Sequence, residues 1–490
     1  MLDKKIINSS LIYVITKYFN LFLGFLRTTF VAITLSKNNM GELVIIYLLL
    51  EYSSYLFSMG APNSINLQSS IDKNHTKNLN SDNHKIKKYY SIFFFIIYFS
   101  SAIFYSLLYI SSNYFDEYIK ETISNNYNKI FFLIFLYAIH AFCNMHNRLW
   151  ERRNPLIISE ISFAVIYLAG VYFFLKDGSD SVSIILKIAI VAQIVSIILS
   201  NVKLSYFHFL TFDKSVFKEL APLGILLMLQ NLMELYFWGI DRLFISFYLE
   251  PSNLASFHIA HTYGRGLMMF FTSFTFLIYP RLLTTLSSTK TSNEEIQRVI
   301  TKAFSISEII LVSAFIFYTA SIPYLINFML VKYDNFFYIF SLVLFGLIIK
   351  SITFFPVSLI ISRKKQKKLI LSSFIFLIIL ILLYNLTTQS KFTKAEDYTS
   401  IAIVIFLIFS IYIYTWSLFI LEKKRKFFEV VLKFWRLTII FIILYSCYSY
   451  DISQIHTIFI LTSFSLIIYY NRIFTDIKIV YLRVMELRKG

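Results

Sequence analysis

Long apolar runs separated by short polar stretches set the pattern of this chain. Runs such as SIFFFIIYFSSAIFYSLLYI and SIAIVIFLIFSIYIYTWSLFIL approach or exceed the roughly 18–20 residues that cross a bilayer as a helix. Fourteen spans are predicted. They are Ile6–Thr34, Gly41–Gln68, Tyr89–Ser111, Ile130–Leu149, Pro155–Leu175, Ile184–Tyr206 and Glu219–Leu249, then Leu254–Arg281, Ile300–Phe328, Phe336–Ile361, Leu369–Thr387, Ser400–Leu421, Leu437–Tyr450 and Ile455–Ile473. The thirteenth is short. The expectation is an all-α, polytopic membrane protein.

The polar positions inside these runs recur at helical spacing. In the first span Ser10, Tyr13, Lys17, Asn20, Gly24, Arg27 and Thr28 fall within an arc of about 100°. Tyr47, Glu51, Ser54, Tyr55, Ser58 and Pro62 share a face of the second. Gln230, Glu234 and Asp241 do so in the seventh, and His258, His261, Thr262, Arg265 and Thr272 in the eighth. A lipid-facing helix carries no such stripe, so these four spans are expected to line one central cavity.

A faint repeat agrees. Arg27–Gly41 and Arg242–Ala255 both carry a Leu (Leu35, Leu249) followed four residues later by an Asn (Asn39, Asn253). Six spans separate the copies, which suits two parallel six-helix halves. The expected organisation is 1–206 as one six-helix bundle, 207–421 as a second, and 422–490 as two additional helices with a basic tail.

Composition sharpens this picture. The chain has 490 residues, 57% of them hydrophobic and 15% charged, against about 25% charged in soluble domains. Mean hydropathy is +0.65. The net charge of +18 does not point to nucleic acid, because the charges lie in short loops between apolar runs. Most of the 46 Lys and Arg fall on one side if the N-terminus is cytoplasmic, as in Arg363–Lys368 and Lys423–Lys426. The positive-inside rule then puts both termini in the cytoplasm. The N-terminal helix reads as uncleaved. Cys143 and Cys447 sit in apolar runs and imply no disulfide.

Charge inside a span is costly and usually faces a bundle interior or a wet cavity. The ionisable residues far from span ends are Lys17, Arg27, Glu51, Glu234, Asp241, Arg242, Arg265 and Lys350. Lys17, Arg27, Arg265 and Lys350, with Asn20, are the candidate cavity-lining substrate contacts. Glu51, Glu234, Asp241 and Arg242 are candidates for ion coupling or charge balance. Plainer roles compete: Lys17 and Arg242 can snorkel to an interface, and Glu51 and Glu234 can neutralise Arg27 or Arg265. For His258 and His261 a structural role is expected.

Several chemistries lack their residues. There is no GxxxxGK[ST] loop for an ATP motor, no HExxH and no Cys/His cluster with metal spacing. Glu294–Glu295 reads as a solvated cytoplasmic face. Asp116–Glu117 has no outside domain around it, which weighs against a membrane polymerase.

Four stretches carry a family resemblance: FLRTTFVAITLSKNNMGELVIIYLLLEYSSYLFSMGAPNSINLQ with its Gly60–Ala61–Pro62 patch; APLGILLMLQNLMELYFWGIDRLFISFYLEPSNLASFHIAHTYGRG with Asp241–Arg242 and Tyr263; FLIYPRLLTTL; and FFPVSLIISRKKQKKLIL. Together they resemble the polysaccharide exporters of the multidrug/oligosaccharidyl-lipid/polysaccharide superfamily, and within it the Wzx-type O-antigen flippases. The resemblance implies two six-helix bundles around a central cavity plus two C-terminal helices. It implies a cationic funnel for a lipid-diphosphate-linked oligosaccharide, with no cofactor beyond coupling to H+ or Na+. Membrane lipids, a polysaccharide polymerase and a chain-length regulator are the expected partners. Multidrug exporters of the superfamily rely on acidic residues in the first helix, where this chain has Lys17 and Arg27. A drug or metabolite antiporter of the same fold and an O-antigen polymerase are the rival readings.

Overall fold

The computed structural model describes residues 4–58, 88–93, 96–97, 117–149, 152–176, 178, 180–202, 213–266, 268, 292–333, 336–363, 365–388, 394–420 and 427–469. These are helical almost throughout, with no strand among them. In chain order the helices are α1 (Lys4–Thr34), α2 (Lys37–Ser58), α3 (Glu117–Leu149), α4 (Arg153–Phe174), α5 (Ser181–Leu199), α6 (Lys214–Tyr248) and α7 (251–266). There follow α8 (Asn293–Met329), α9 (Phe336–Ile352), α10 (Phe354–Ser362), α11 (Gln366–Thr388), α12 (Ala395–Ile420), α13 (Phe427–Ser449) and α14 (Gln454–Tyr469).

Each expected span except the third matches a helix or helix pair. The third lies mostly outside the described residues, as do the Gly60–Ala61–Pro62 patch and FLIYPRLLTTL. Seven described helices are long and apolar enough to cross a membrane, and four shorter apolar helices accompany them. Large apolar side chains stand exposed along them, among them Phe317, Phe328, Phe419, Phe459 and Ile467, as lipid contact requires. The chain is a multi-pass membrane protein.

The differences from expectation have local causes. α3 begins at Glu117, thirteen residues ahead of its apolar run. The added turns stay helical because they bury Thr122, Ile123 and Asn126. α8 begins at Asn293 because Ser292 caps it, its hydroxyl accepting from the Glu295 amide at 3.2 Å, a Ser-x-x-Glu capping pattern. The tenth span is two helices that meet at Thr353. Pro356 has no N–H for Ile352 and its ring crowds that turn, so the chain restarts as α10. Thr353 closes the break by donating its hydroxyl to the Lys350 carbonyl at 2.6 Å. α13 starts ten residues before the expected thirteenth span, because the charge of Arg436, which cut the apolar run short, has a buried partner.

The chain folds into two compact units: Met1–Gly239 with Glu250–Ala255, and Ile240–Leu249 with Ser256–Gly490. In the first, α4 packs against α1 and α5, while α3 packs against α2 and α5. The α4–α5 approach is close. A Cβ on Gly170 would lie 2.4 Å from the Ile188 Cγ2. Gly41 is as tightly placed, with the Pro251 carbonyl oxygen 2.2 Å from where its Cβ would stand. Small residues that let backbones approach are a main source of helix association in lipid. In the second unit α9 is central. Nearly all its side chains are buried, and it packs on α8, α12 and α13.

Candidate functional site

Each unit carries its own polar interior. In the first, Arg27 of α1 lies half-buried with its guanidinium 4.5 Å from the centre of the Tyr167 ring on α4. The Tyr167 hydroxyl meets that of Tyr47, on α2, at 2.6 Å. Tyr137 of α3 stands in the field of the same arginine. Four helices thus contribute to one cation and its aromatic surround. A guanidinium over an aromatic face is held by its plane, leaving its edge N–H groups to bind an anion.

Two further sequence candidates lie on α1. Asn20 is half-buried, and its Oδ1 makes no hydrogen bond. The side chain of Lys17 lies outside the described residues. Glu51 is half-buried on α2. Glu234 is on α6, and its side chain is likewise outside the description.

In the second unit the last turns of α6 bring Asp241 and Arg242, which are 6% and 4% exposed. The Asp241 carboxylate accepts from the Arg242 amide at 2.9 Å. Tyr384 of α11 stands within the field of Asp241 and packs on Phe244, ring centres 4.5 Å apart. His261 of α7 is buried and feels the charges of Arg242, Arg265 and Lys350 together. The charges of three sequence candidates, on α6, α7 and the last turn of α9, therefore act on one imidazole. Arg265 is exposed and Lys350 half-buried. An exposed guanidinium within a span marks a wet surface, because lipid does not solvate it.

One buried charge pair was passed over in the sequence. Glu308 of α8 is fully buried. It accepts a hydrogen bond from the Tyr469 hydroxyl at 2.8 Å and faces the Arg436 guanidinium at 3.8 Å. Arg436 also lies 5.4 Å from the centre of the Tyr469 ring. These contacts tie α13 and α14 to α8. Glu308 stands in the sequence as a lone carboxylate within the ninth expected span, Ile300–Phe328. Among the described residues no group of three His, Cys, Asp or Glu could hold a metal ion.

A family model described as polysaccharide biosynthesis protein matches residues 6–286. No curated protein matches the chain by sequence. Among solved structures, an inward-facing multidrug resistance MATE family transporter of the MOP superfamily aligns with a TM-score of 0.65 at 9% identity. The alignment covers 83% of this chain and 96% of that one. The lipid II flippase MurJ in an inward closed conformation also gives 0.65, at 14% identity, covering 94% of this chain and 100% of that one. A MOP superfamily transporter from Pyrococcus furiosus gives 0.55 at 10% identity, with coverages of 85% and 96%. The fold is that of the MOP superfamily transporters.

Proposed function

Since the chain belongs to the polysaccharide biosynthesis protein family, we propose that it is a flippase. In this reading it moves an undecaprenyl-diphosphate-linked oligosaccharide, an O-antigen or capsule repeat unit, across the bacterial inner membrane by alternating access. The observation that carries the reading is that Arg242, Arg265 and Lys350, on three helices, all act electrostatically on His261, with Arg265 exposed. A wet cationic surface at membrane depth suits a diphosphate. Arg binds it through paired N–H groups and Lys as a point charge. Arg27 on its tyrosine platform is a further cation of the same use. Lys17 and Asn20 extend the proposed substrate contacts. Glu51, Glu234 and Asp241, with Arg242, are the proposed partners for charge balance or a coupling ion. The glycan is handled in the aqueous part of the site, and its lipid tail stays in the bilayer.

Deleting the gene tests this. The expected result is lipid-linked single repeat units retained on the inner leaflet. Lipopolysaccharide capped with a single unit in the deletion strain would mean that export survives and that a polymerase was lost. Unchanged polysaccharide together with drug sensitivity would support an antiporter instead.

A further inference from the structure

The polar groups buried among α3, α4 and α5 bond to one another. Ser159 and Ser196 face each other at 2.9 Å, and both lie 3.1 Å from the His140 Nε2. The cations where α10 gives way to α11 have no such partners. Arg363 directly follows α10. The Lys365 carbonyl accepts the first bond of α11, from the Lys368 amide at 3.1 Å. Arg363 is half-buried, and its Nε is shut off from solvent without a hydrogen bond. Lys365 and Lys368 are exposed. Among the described residues none of the three meets a carboxylate, and the first turn of α11 holds no acid. The first amides of a helix have no partner within it and favour an anion. A helix start, three cations and a sequestered N–H without an acceptor together call for an anionic ligand.

An apolar groove of about 540 Å³ lies between α11 and α12. Phe376 of α11 forms one wall, and Ile408, Ile411, Tyr412, Trp416 and Phe419 of α12 form the other. The two helices are antiparallel. The Phe376 and Tyr412 ring centres are 5.6 Å apart, and further along α11 the Tyr384 hydroxyl donates to the Tyr398 carbonyl at 3.0 Å, nearer the start of α12. Lys368, about two turns before Phe376, therefore comes level with the last turn of α12, where Phe419 stands. Lys365, about three turns before Phe376, shares its face of α11 to within about 20°. The cations thus stand at one end of the groove.

The groove's length and walls are those of a hydrocarbon site. From Ile408 to Phe419 it follows α12 for about 16 Å, close to half of a hydrocarbon core of about 30 Å. Its walls are apolar, and Thr415 turns its hydroxyl back onto the Ile411 carbonyl at 2.8 Å. Ile408, Tyr412 and Phe419 are exposed, so the groove is open along its side.

We propose that this groove binds an anionic phospholipid of the leaflet on that side. One acyl chain lies between α11 and α12, and the phosphate sits at the start of α11 against Arg363, Lys365 and Lys368. Arg holds a phosphate through paired N–H groups and Lys as a point charge. A lipid-linked saccharide has the same chemistry, an apolar tail on a phosphate. Two observations favour the phospholipid. The groove is one leaflet long, far too short for an undecaprenyl chain. Its cations stand at the end of a span, whereas the flippase reading places the diphosphate on cations within the spans. The bound lipid braces α11 against α12, the helix that packs on α9.

The intact chain with Trp416 as its only tryptophan tests this. Four tryptophans are present, so W150F, W238F and W435F are combined. The probes are vesicles containing phosphatidylglycerol or phosphatidylcholine with brominated acyl chains, which quench a tryptophan they touch. The readout is the relative affinity of the two lipids, from quenching against mole fraction. Phosphatidylglycerol should be favoured about fivefold or more, the worth of one cation at an anionic surface (about 1 kcal/mol). R363Q, K365Q and K368Q together should bring the ratio near one. R298Q with K302Q, which removes two exposed cations of α8, should leave it unchanged. A ratio near one before any cation is removed, or an equal fall in both variants, overturns the proposal. Undecaprenyl diphosphate at an equal mole fraction should leave quenching by phosphatidylglycerol as it was. Relief of quenching would give the groove to the substrate's lipid and overturn the proposal as well. If a variant does not assemble, native mass spectra of the unaltered protein decide. It should retain phosphatidylglycerol over phosphatidylcholine from an equal mixture, and equal retention overturns the proposal.

Discussion

In the first unit the buried polar groups are mostly neutral. Serines, an imidazole and tyrosine hydroxyls bond to each other and to backbone carbonyls, and the cation among them, Arg27, rests on an aromatic face. In the second unit ions join the neutral groups in the interior: Asp241 beside Arg242, and Glu308 facing Arg436, while His261 lies in the field of Arg242, the exposed Arg265 and the half-buried Lys350. Neutral hydrogen bonds cost little to desolvate and tolerate rearrangement. Buried ions are expensive to separate once paired. The first unit is therefore suited to small internal adjustments, and the second to presenting a fixed field. Substitutions that exchange these characters test the contrast.

The largest effect is expected at the exposed cation of the second unit. Arg265→Ala should reduce polysaccharide display about tenfold or more, the worth of a charge-assisted hydrogen bond, with protein abundance unchanged. Lys should rescue in part, because it keeps the charge and loses the fork. Glu should abolish display. A normal level in Arg265→Glu would remove this cation from the substrate path.

Next comes the clasp on the C-terminal helices. Arg436→Ala leaves the fully buried Glu308 without its cation and should destabilise the protein by about 3–5 kcal/mol. Thermal unfolding in detergent measures this. The paired change Glu308→Gln with Arg436→Gln removes both charges and should recover most of the loss. If the pair is no better than the single variant, the stabilisation lies in the stacking of Arg436 on Tyr469 rather than in its charge.

The first unit should break through packing instead. Gly170→Ala puts a methyl 2.4 Å from Ile188 Cγ2. Overpacking of this kind costs about 1–3 kcal/mol. Ile188→Ala in the same chain should relieve it, because the obstacle is one branch of a side chain and not backbone. Failure of that rescue would show that α4 and α5 cannot readjust.

Much of this was legible in the sequence. The helices follow from apolar run length, and Arg27, Asp241, Arg242, Arg265 and Lys350 stood out as charges within runs. Their partners did not. Tyr167 is one of 35 tyrosines, and nothing local marks it as the platform for Arg27. Ser159 and Ser196 are silent in apolar runs, because a serine there can equally satisfy itself on its own helix. The early start of α13 was hidden because a window of hydropathy reads Arg436 as a break, whereas Glu308, far away in the chain, neutralises it. Run length is a local property, and pairing is not.

The smallest expected effect concerns Asp213, at the surface of the first unit. Its carboxylate caps α6, accepting from the Ser215 amide at 3.0 Å and the Ser215 hydroxyl at 2.6 Å, and pairs with Lys88 at 2.9 Å. These donors, Ser215 first and then Lys88, hold its pKa well below the usual carboxylate range. A carboxyl whose folded pKa is depressed binds its proton more weakly in the folded state than in the unfolded one. Its stabilisation is complete above the unfolded pKa, about 3.9, and is lost as pH falls through the folded value. Asp213→Asn should therefore lower the thermal midpoint by the same small amount at every pH from 5 to 8, and the gap to wild type should close on acidification below about 4. Added salt should shrink the Lys88 share, since both side chains are partly exposed, at 41% and 25%, and an exposed pair is screened. The cap hydrogen bonds should survive salt. A gap that vanishes in high salt at neutral pH would mean that Asp213 acts through Lys88 alone, and that the start of α6 owes nothing to its cap.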